Sequence, residues 1–270
     1  MNQPAFDIAL ASRTGQGQRS NNEDTICTGR SRCGWYAVVA DGAGGHRRGA
    51  EASRRAVQSI EHILHNADES AFSPDTLTRI IRIAHAELQR HQVPGDPSAS
   101  MHTTVVVLWV EPTGRHALWA HVGDSRLYRL RHGLVDMVTT DDSLVQQLVT
   151  AGLISSDQAR HHPHKNQLVA ALGVETDIDP HTVVRPVEVK DGDAFLLCSD
   201  GWWDCFDPVG IAGALDNAQS ADDWLARMES AIEQRQAPRQ DNFSAAALWV
   251  GNPTLSADVS ADATVPNFRR

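Results

Sequence analysis

Three apolar runs in this chain stop at an aspartate beside a glycine: VVA before Asp41-Gly42, HV before Gly123-Asp124, and LLCS before Asp200-Gly201. A strand ending at each would deliver its acid to a sheet edge. Further acids stand in Glu23-Asp24 of RSNNED, and in Asp241 ahead of Asn242 and a final apolar run. Turn chemistry accounts for any single Asp-Gly, but five such places ask for a shared reason. Carboxylates, with backbone carbonyls and water, are the ligands of hard divalent cations such as magnesium and manganese. A site built from few protein ligands leaves positions open for a phosphate oxygen. Spacing alone does not bring the five places together in space.

Other reactive side chains point elsewhere. Cys27, Cys33, Cys198 and Cys205 lack C-x-x-C spacing, which argues against a disulfide framework or a structural zinc site. Cys198 and Cys205 flank Asp200, and as small apolar side chains they are expected in or near the core. His161, His162 and His164 do not share a helical face and are interrupted by Pro163, so they read as loop residues rather than a metal site. With 41% apolar and 21% charged residues in 270, the chain has the balance of an ordinary folded protein, not of a fibrous or unfolded one. The excess of 34 Asp and Glu over 24 Lys and Arg opposes attraction to nucleic acid or anionic lipid. The apolar runs fall far short of the roughly 18 residues that a membrane-spanning helix needs. The opening MNQPAFDIAL has no signal-peptide pattern, so the expected location is the cytoplasm, with no membrane insertion.

The elements that must position the acids follow from periodicity. Residues 35–40 read as a strand running into Asp41-Gly42-Ala43-Gly44-Gly45. Apolar residues at helical spacing predict helices over 46–65 and 73–91, the second capped by Ser73 with Pro74 at its first position. Residues 103–110, 117–122 and 125–130 read as an antiparallel meander. A helical stretch over 142–158 is broken at Gly152, strands follow near 182–189 and at 194–198, then a helix over 221–233 and a closing strand over 243–250. Strict βαβ alternation is missing, which favours α+β layers with antiparallel sheets. One domain over residues 5–250 is expected, followed by a disordered tail over 251–270 whose small polar residues and prolines lack periodicity.

The blocks GQGQRSNNEDT, AVVADGAGGHRRGAEAS, TTVVVLWV, AHVGDSRLYRLRHG, TTDDSLVQQLVTAGLIS, HPHKNQLVAALG, LLCSDGWWD and DNFSAAAL occur in the order found in metal-dependent Ser/Thr protein phosphatases of the type 2C class, and the chain most resembles the bacterial branch. The resemblance runs from about Ala9 to Val250. It implies a four-layer α-β-β-α sandwich with two mostly antiparallel sheets and a metal centre at one end. It implies that Asp41 bridges two manganese or magnesium ions, that Gly42 offers its carbonyl, that Asp200 and Asp241 complete the first ion's ligands, and that Glu23 stands by the second. Asp124, sharing Asp200, resembles the ligand of a weaker third ion, and Asp24 and Asp204 resemble supporting acids. Arg19 matches the arginine that holds the substrate phosphate, a role suited to its planar guanidinium. Ser125 and Arg126 are assigned to structure. The implied reaction is hydrolysis of phosphoserine or phosphothreonine by direct attack of a metal-bridging water, without a phosphoenzyme and without a cysteine nucleophile.

Two departures stand out. Ala43 replaces the methionine or histidine common after the first Asp-Gly, so a proton for the leaving alkoxide is expected from water on the metals, with His46 as the rival donor. Val169 and Ala170 precede Ala171-Leu172-Gly173 where threonine and arginine are usual. Neither removes a ligand. The expected partners are phosphorylated proteins, targets of a cognate Ser/Thr kinase, met by a monomer. Two other functions compete: a dedicated phosphatase of one phosphoserine regulator of the anti-sigma antagonist type, and a phosphoprotein-binding pseudophosphatase, against which intact Arg19, Asp41, Asp200 and Asp241 count.

Overall fold

A computed structural model describes residues 6–43, 48–93, 95 and 100–254. Two antiparallel sheets carry the molecule. The first holds β1 (Ile8–Gly15), β12 (Phe243–Val250), β11 (Ala194–Cys198), β7 (Arg126–Arg131) and β8 (Leu134–Val138), in that spatial order. The second runs β10 (Val187–Glu188), β6 (His116–Val122), β5 (Val105–Val110), β3 (Gly34–Ala43) and β2 (Asp24–Ser31), with β4 (His102–Thr103) paired to β3 and β9 (His181–Thr182) to β6.

Strands buried on both faces explain the layering. Along β3, Trp35, Ala37 and Val39 join a core shared with Phe195, Leu197 and Leu248 of the other sheet, whereas Tyr36, Val38 and Ala40 face the opposite way. There they meet α1 (Gly49–Asn66) and α2 (Pro74–Arg90). On the far side, Leu196, Ala245 and Trp249 pack against Trp202 of α5 (Asp200–Trp203), Ile211 of α6 (Pro208–Asp216) and Trp224 of α7 (Ala221–Gln234). Three cores between four layers make the α-β-β-α sandwich that the resemblance implied. Fully burying one such Val, Leu or Ile contributes about 1.5–3 kcal/mol.

Local chemistry sets the helix starts. Ser73 accepts the Thr76 amide hydrogen with Pro74 following, and Leu77, Ile80, Ile81, Ala84 and Leu88 form the buried stripe of α2. Ser220 does the same for Asp223 at the head of α7, where Asp222 and Asp223 complement the helix dipole. The helical stretch after residue 142 divides into α3 (Leu144–Thr150) and α4 (Ser156–Arg160), with Gly152 between them at φ +69°.

Two expectations need correction. The meander is not one: β5 and β6 pair, but β7 lies in the other sheet between β11 and β8. The turn at Gly123 has φ +100°, and a methyl there would come within 2.7 Å of Thr104 Cγ2, so the chain makes a tight crossing between sheets that only glycine fits. A continuous strand over 182–189 is also absent. Pro186 has no amide hydrogen to give β6, Val184 points to solvent, and pairing survives only in β9 and β10. The helix expected from 46 begins at Gly49, while residues 44–47, with His46, and 255–270 of the expected tail lie outside the described residues. No helix among the described residues is long and apolar enough to cross a membrane.

Candidate metal centre

The acids converge because the ends of both sheets meet. Asp24 and Asp41 are direct cross-strand partners of β2 and β3. Asp41 is fixed from behind: its amide donates to Thr104 Oγ1 at 3.0 Å, and its carbonyl accepts from the Thr104 amide and the Thr103 hydroxyl, both at 2.8 Å. From the other sheet, β11 ends at Cys198 and passes Asp200 into α5, alongside the residues that open β12. A methyl on Gly201 would sit 2.1 Å from the Asn242 carbonyl oxygen and 3.2 Å from Asp241 Cβ, so the missing side chain is what lets the two segments touch.

Asn242 holds the site's N-terminal loop. Its Oδ1 accepts the Glu23 amide hydrogen at 2.9 Å, and its Nδ2 donates to the carbonyls of Gln16 and Asn21 at 2.8 and 2.9 Å. Arg19, on that loop, donates from Nη2 to Asp241 Oδ2 at 2.5 Å with more than half of its side chain exposed. A cavity of about 310 Å³ results, lined by Arg19, Glu23, Asp41, Asp124, Asp200 and Asp241 among others. Gly42 also lines it. A methyl on Gly49 would lie 2.7 Å from Glu23 Oε2 and 2.9 Å from the Gly42 carbonyl oxygen, so the missing side chain lets the start of α1 approach both groups.

Electrostatics show what the cavity lacks in side chains. Burial, then the charges of Asp24, Asp200, Asp124 and Asp241, hold Asp41 well above the usual carboxylate range; burial and its acidic neighbours do the same to Asp200. Asp124 is pushed up to about 7 and Asp24 to about 6, again by burial first. Asp24 sits beneath the cluster, accepting from Ser199 Oγ at 2.8 Å. Asp200 Oδ1 and Asp24 Oδ1 are buried without a hydrogen-bond partner. Unpaired oxygens among mutually repelling acids, Asp124 buried and the others half-buried, fit hard cations, which neutralise the charge and fill the lone pairs.

Asp204 is not brought into this cavity. One turn beyond Asp200, it is half-exposed and accepts from Lys165 Nζ at 2.6 Å. Ser125 and Arg126 do structural work: Ser125 Oγ meets Thr104 Oγ1 at 2.7 Å, and Arg126 pairs with both oxygens of Asp141 while lying 3.5 Å over the Trp203 ring. Trp203 Nε1 in turn donates to the Asp124 carbonyl at 2.9 Å. Sequence reasoning missed Thr104 and Asn242 as the residues that fix Asp41 and Glu23. Asn242 had a signal, standing directly after an acid at the head of a strand. It also missed that β4 sets His102 opposite Ala43.

Cys198 is fully buried, and burial pushes its thiol far up. Cys205 Sγ lies 3.5 Å from the Gly201 carbonyl, and neither cysteine lines the cavity.

A family model described as protein phosphatase 2C matches residues 13–249. The chain is 31% identical over 230 residues to the serine/threonine protein phosphatase PstP of Mycobacterium tuberculosis, covering 83% of this chain and 42% of that protein. It is 36% identical over 200 residues to a putative protein phosphatase 2C-type of Streptococcus pyogenes, covering 72% and 78%. Among solved structures, the S. agalactiae serine/threonine phosphatase superposes with TM-score 0.82 at 29% identity, over 90% of this chain and 100% of that one. The PstP catalytic domain in complex with two manganese ions gives 0.76 at 27%, over 90% and 98%. The chain thus spans less than half the length of the mycobacterial relative.

Proposed function

The chain belongs to the protein phosphatase 2C family, and from that premise we propose that it is a metal-dependent protein serine/threonine phosphatase, hydrolysing phosphoserine and phosphothreonine in proteins. One observation carries the reading: Asp200, whose Oδ1 is buried without a partner, lines the same cavity as Glu23, Asp41, Asp124 and Asp241 and as an arginine held by Asp241. Asp41, Asp200, Asp241, Glu23 and the Gly42 carbonyl would hold two manganese or magnesium ions, with Asp124 and Asp200 at a weaker third. Such ions, when bound, lower the pKa of water to make it a nucleophile and offset the charge gathering on the phosphoryl oxygens.

The chain's own groups supply the rest. Arg19 gives only one guanidinium nitrogen to Asp241, and its exposed edge remains to orient a phosphate with charge-assisted hydrogen bonds. Thr104 and Asn242 keep Asp41 and the Glu23 loop in register, so that little reorganisation accompanies the reaction. Asp24 supports the cluster from below, and Asp204, tied to Lys165 outside the cavity, acts on it only by repelling charge on Asp200. The catalytic domain is taken as residues 5–250 and 251–270 as a tail. The remaining parts of the proposal are a cytoplasmic monomer and substrates phosphorylated by a cognate kinase.

The test is phosphate release from a phosphothreonine peptide. Release is expected with manganese or magnesium, ceasing with a chelator and returning on metal addition. Turnover by metal-stripped protein would overturn the metal-dependent reading; tight phosphopeptide binding without turnover would make the chain a binding module.

A further inference from the structure

A second cluster of metal-ligating side chains stands apart from the acid-lined cavity. The β6–β9 register sets His121 directly opposite His181, and their rings stack with centroids 5.0 Å apart and planes 20° from parallel. Asp142, in the segment between β8 and α3, approaches both. Its Oδ1 lies 2.8 Å from His181 Nε2, and its Oδ2 accepts the Gly123 amide hydrogen at 3.0 Å. One ligand atom from each of the three residues lies within 4.8 Å of the others.

The decisive feature is His121. It is only 5% exposed, and its Nε2 stands 2.8 Å from the Thr140 carbonyl, which can only accept. Nε2 therefore carries the hydrogen, and Nδ1 keeps its lone pair. Nδ1 is buried and has no hydrogen-bond partner. Histidines that bind metals commonly donate their other ring hydrogen to a carbonyl or carboxylate in this way. Burial also lowers the His121 pKa, keeping the ring neutral. A His–Asp ion pair would account for His181 and Asp142 alone, but it leaves the His121 lone pair unexplained.

We propose that His121, Asp142 and His181 form a binding site for a first-row cation of the zinc class, distinct from the oxygen-only cavity. Two imidazoles and a carboxylate suit zinc, which favours nitrogen donors in a tetrahedron closed here by water. Zinc bonds of roughly 2.0–2.1 Å need donors about 3.4 Å apart. His181, more than half exposed and on a two-residue strand, is the ligand that adjusts and the side from which an ion arrives. Asp142 also donates its amide to the Gly123 carbonyl at 2.9 Å, so an ion here braces the turn that presents Asp124.

The test uses the full chain without a histidine tag, in magnesium sufficient to fill oxygen-only sites. Equilibrium dialysis against zinc is expected to show one more bound ion for the native protein than for His181→Ala, or an affinity at least about a hundredfold higher. Copper(II) bound in place of zinc should show imidazole nitrogen coupling by electron paramagnetic resonance, lost in His181→Ala and kept in His164→Ala. Melting in magnesium checks that the variants fold. Equal zinc stoichiometry and affinity in native protein and His181→Ala, or nitrogen coupling unchanged by His181→Ala, would overturn the site.

Discussion

Asp41→Asn is expected to lower kcat on a phosphothreonine peptide by on the order of 10³-fold or more, because it removes the carboxylate proposed to bridge two ions while leaving the strand intact. The backbone contacts of Asp41 with Thr103 and Thr104 do not involve the carboxylate. Its half-buried side chain stands among like charges that, with desolvation, disfavour its ionised form. An amide of the same shape relieves that repulsion, so the metal-free variant should melt no lower than the metal-free native protein. Manganese should then raise its melting temperature much less than it raises that of the native protein. Kinetics and thermal melts with and without manganese separate the two effects. A variant keeping more than a tenth of native kcat would show that Asp41 is not the bridging ligand.

Asp193→Ala should produce the largest loss of stability away from the cavity. Asp193 is fully buried at the head of β11, where its oxygens accept from Arg131 Nε and Nη2 at 2.7 Å each and from the Lys190 amide at 2.9 Å. Arg131 ends β7, so the pair clamps β7 to β11 at the end of the sheet remote from Asp200. Removing Asp193 leaves the partly buried Arg131 with the Glu188 carbonyl alone and strands the Lys190 amide, a cost of about 3 kcal/mol, the low end for breaking a buried pair. Chemical denaturation should show that loss in the midpoint with little change in slope. Replacing both residues by apolar ones should recover much of it, because the penalty comes from the stranded charge. Activity per folded molecule should be unchanged. A loss below about 1 kcal/mol would mean that water reaches the pair and screens it.

Asp41, Asp124 and Asp200 were legible because each stands where an apolar strand stops at a glycine, whereas Glu23, Asp24 and Asp241 stood out only as acids in short polar blocks. β11 and β12 fell where their uninterrupted apolar runs put them, and α2 where Ser73, Pro74 and the stripe agree. β1 and β2 left little trace: their residues are only partly buried, and Arg13, Gly29 and Arg30 blur the alternation. α6 escaped because Gly210 and Gly213 weaken its propensity and its apolar residues form no one-sided stripe. The histidine cluster was invisible for another reason. The sequence draws the eye to His161, His162 and His164, which are neighbours along the chain, whereas His121, Asp142 and His181 become neighbours only through a two-residue strand.

The place of β12 in its sheet has a consequence for how the protein comes into being. This strand lies between β1 and β11, pairing Ile8 with Val250 and Gly15 with Phe243. Partners more than two hundred positions apart must therefore find each other before the first sheet exists. Contacts of such long range slow folding, since loop-closure entropy is spent before the pairing rewards it. During synthesis β1 waits without its neighbour until the residues of β12 have left the ribosome, and Asp241 arrives with them. The nascent chain thus cannot close the acid-lined cavity before β12 is made, and until then the edge of β1 that β12 will cover stays open to aggregation or chaperones.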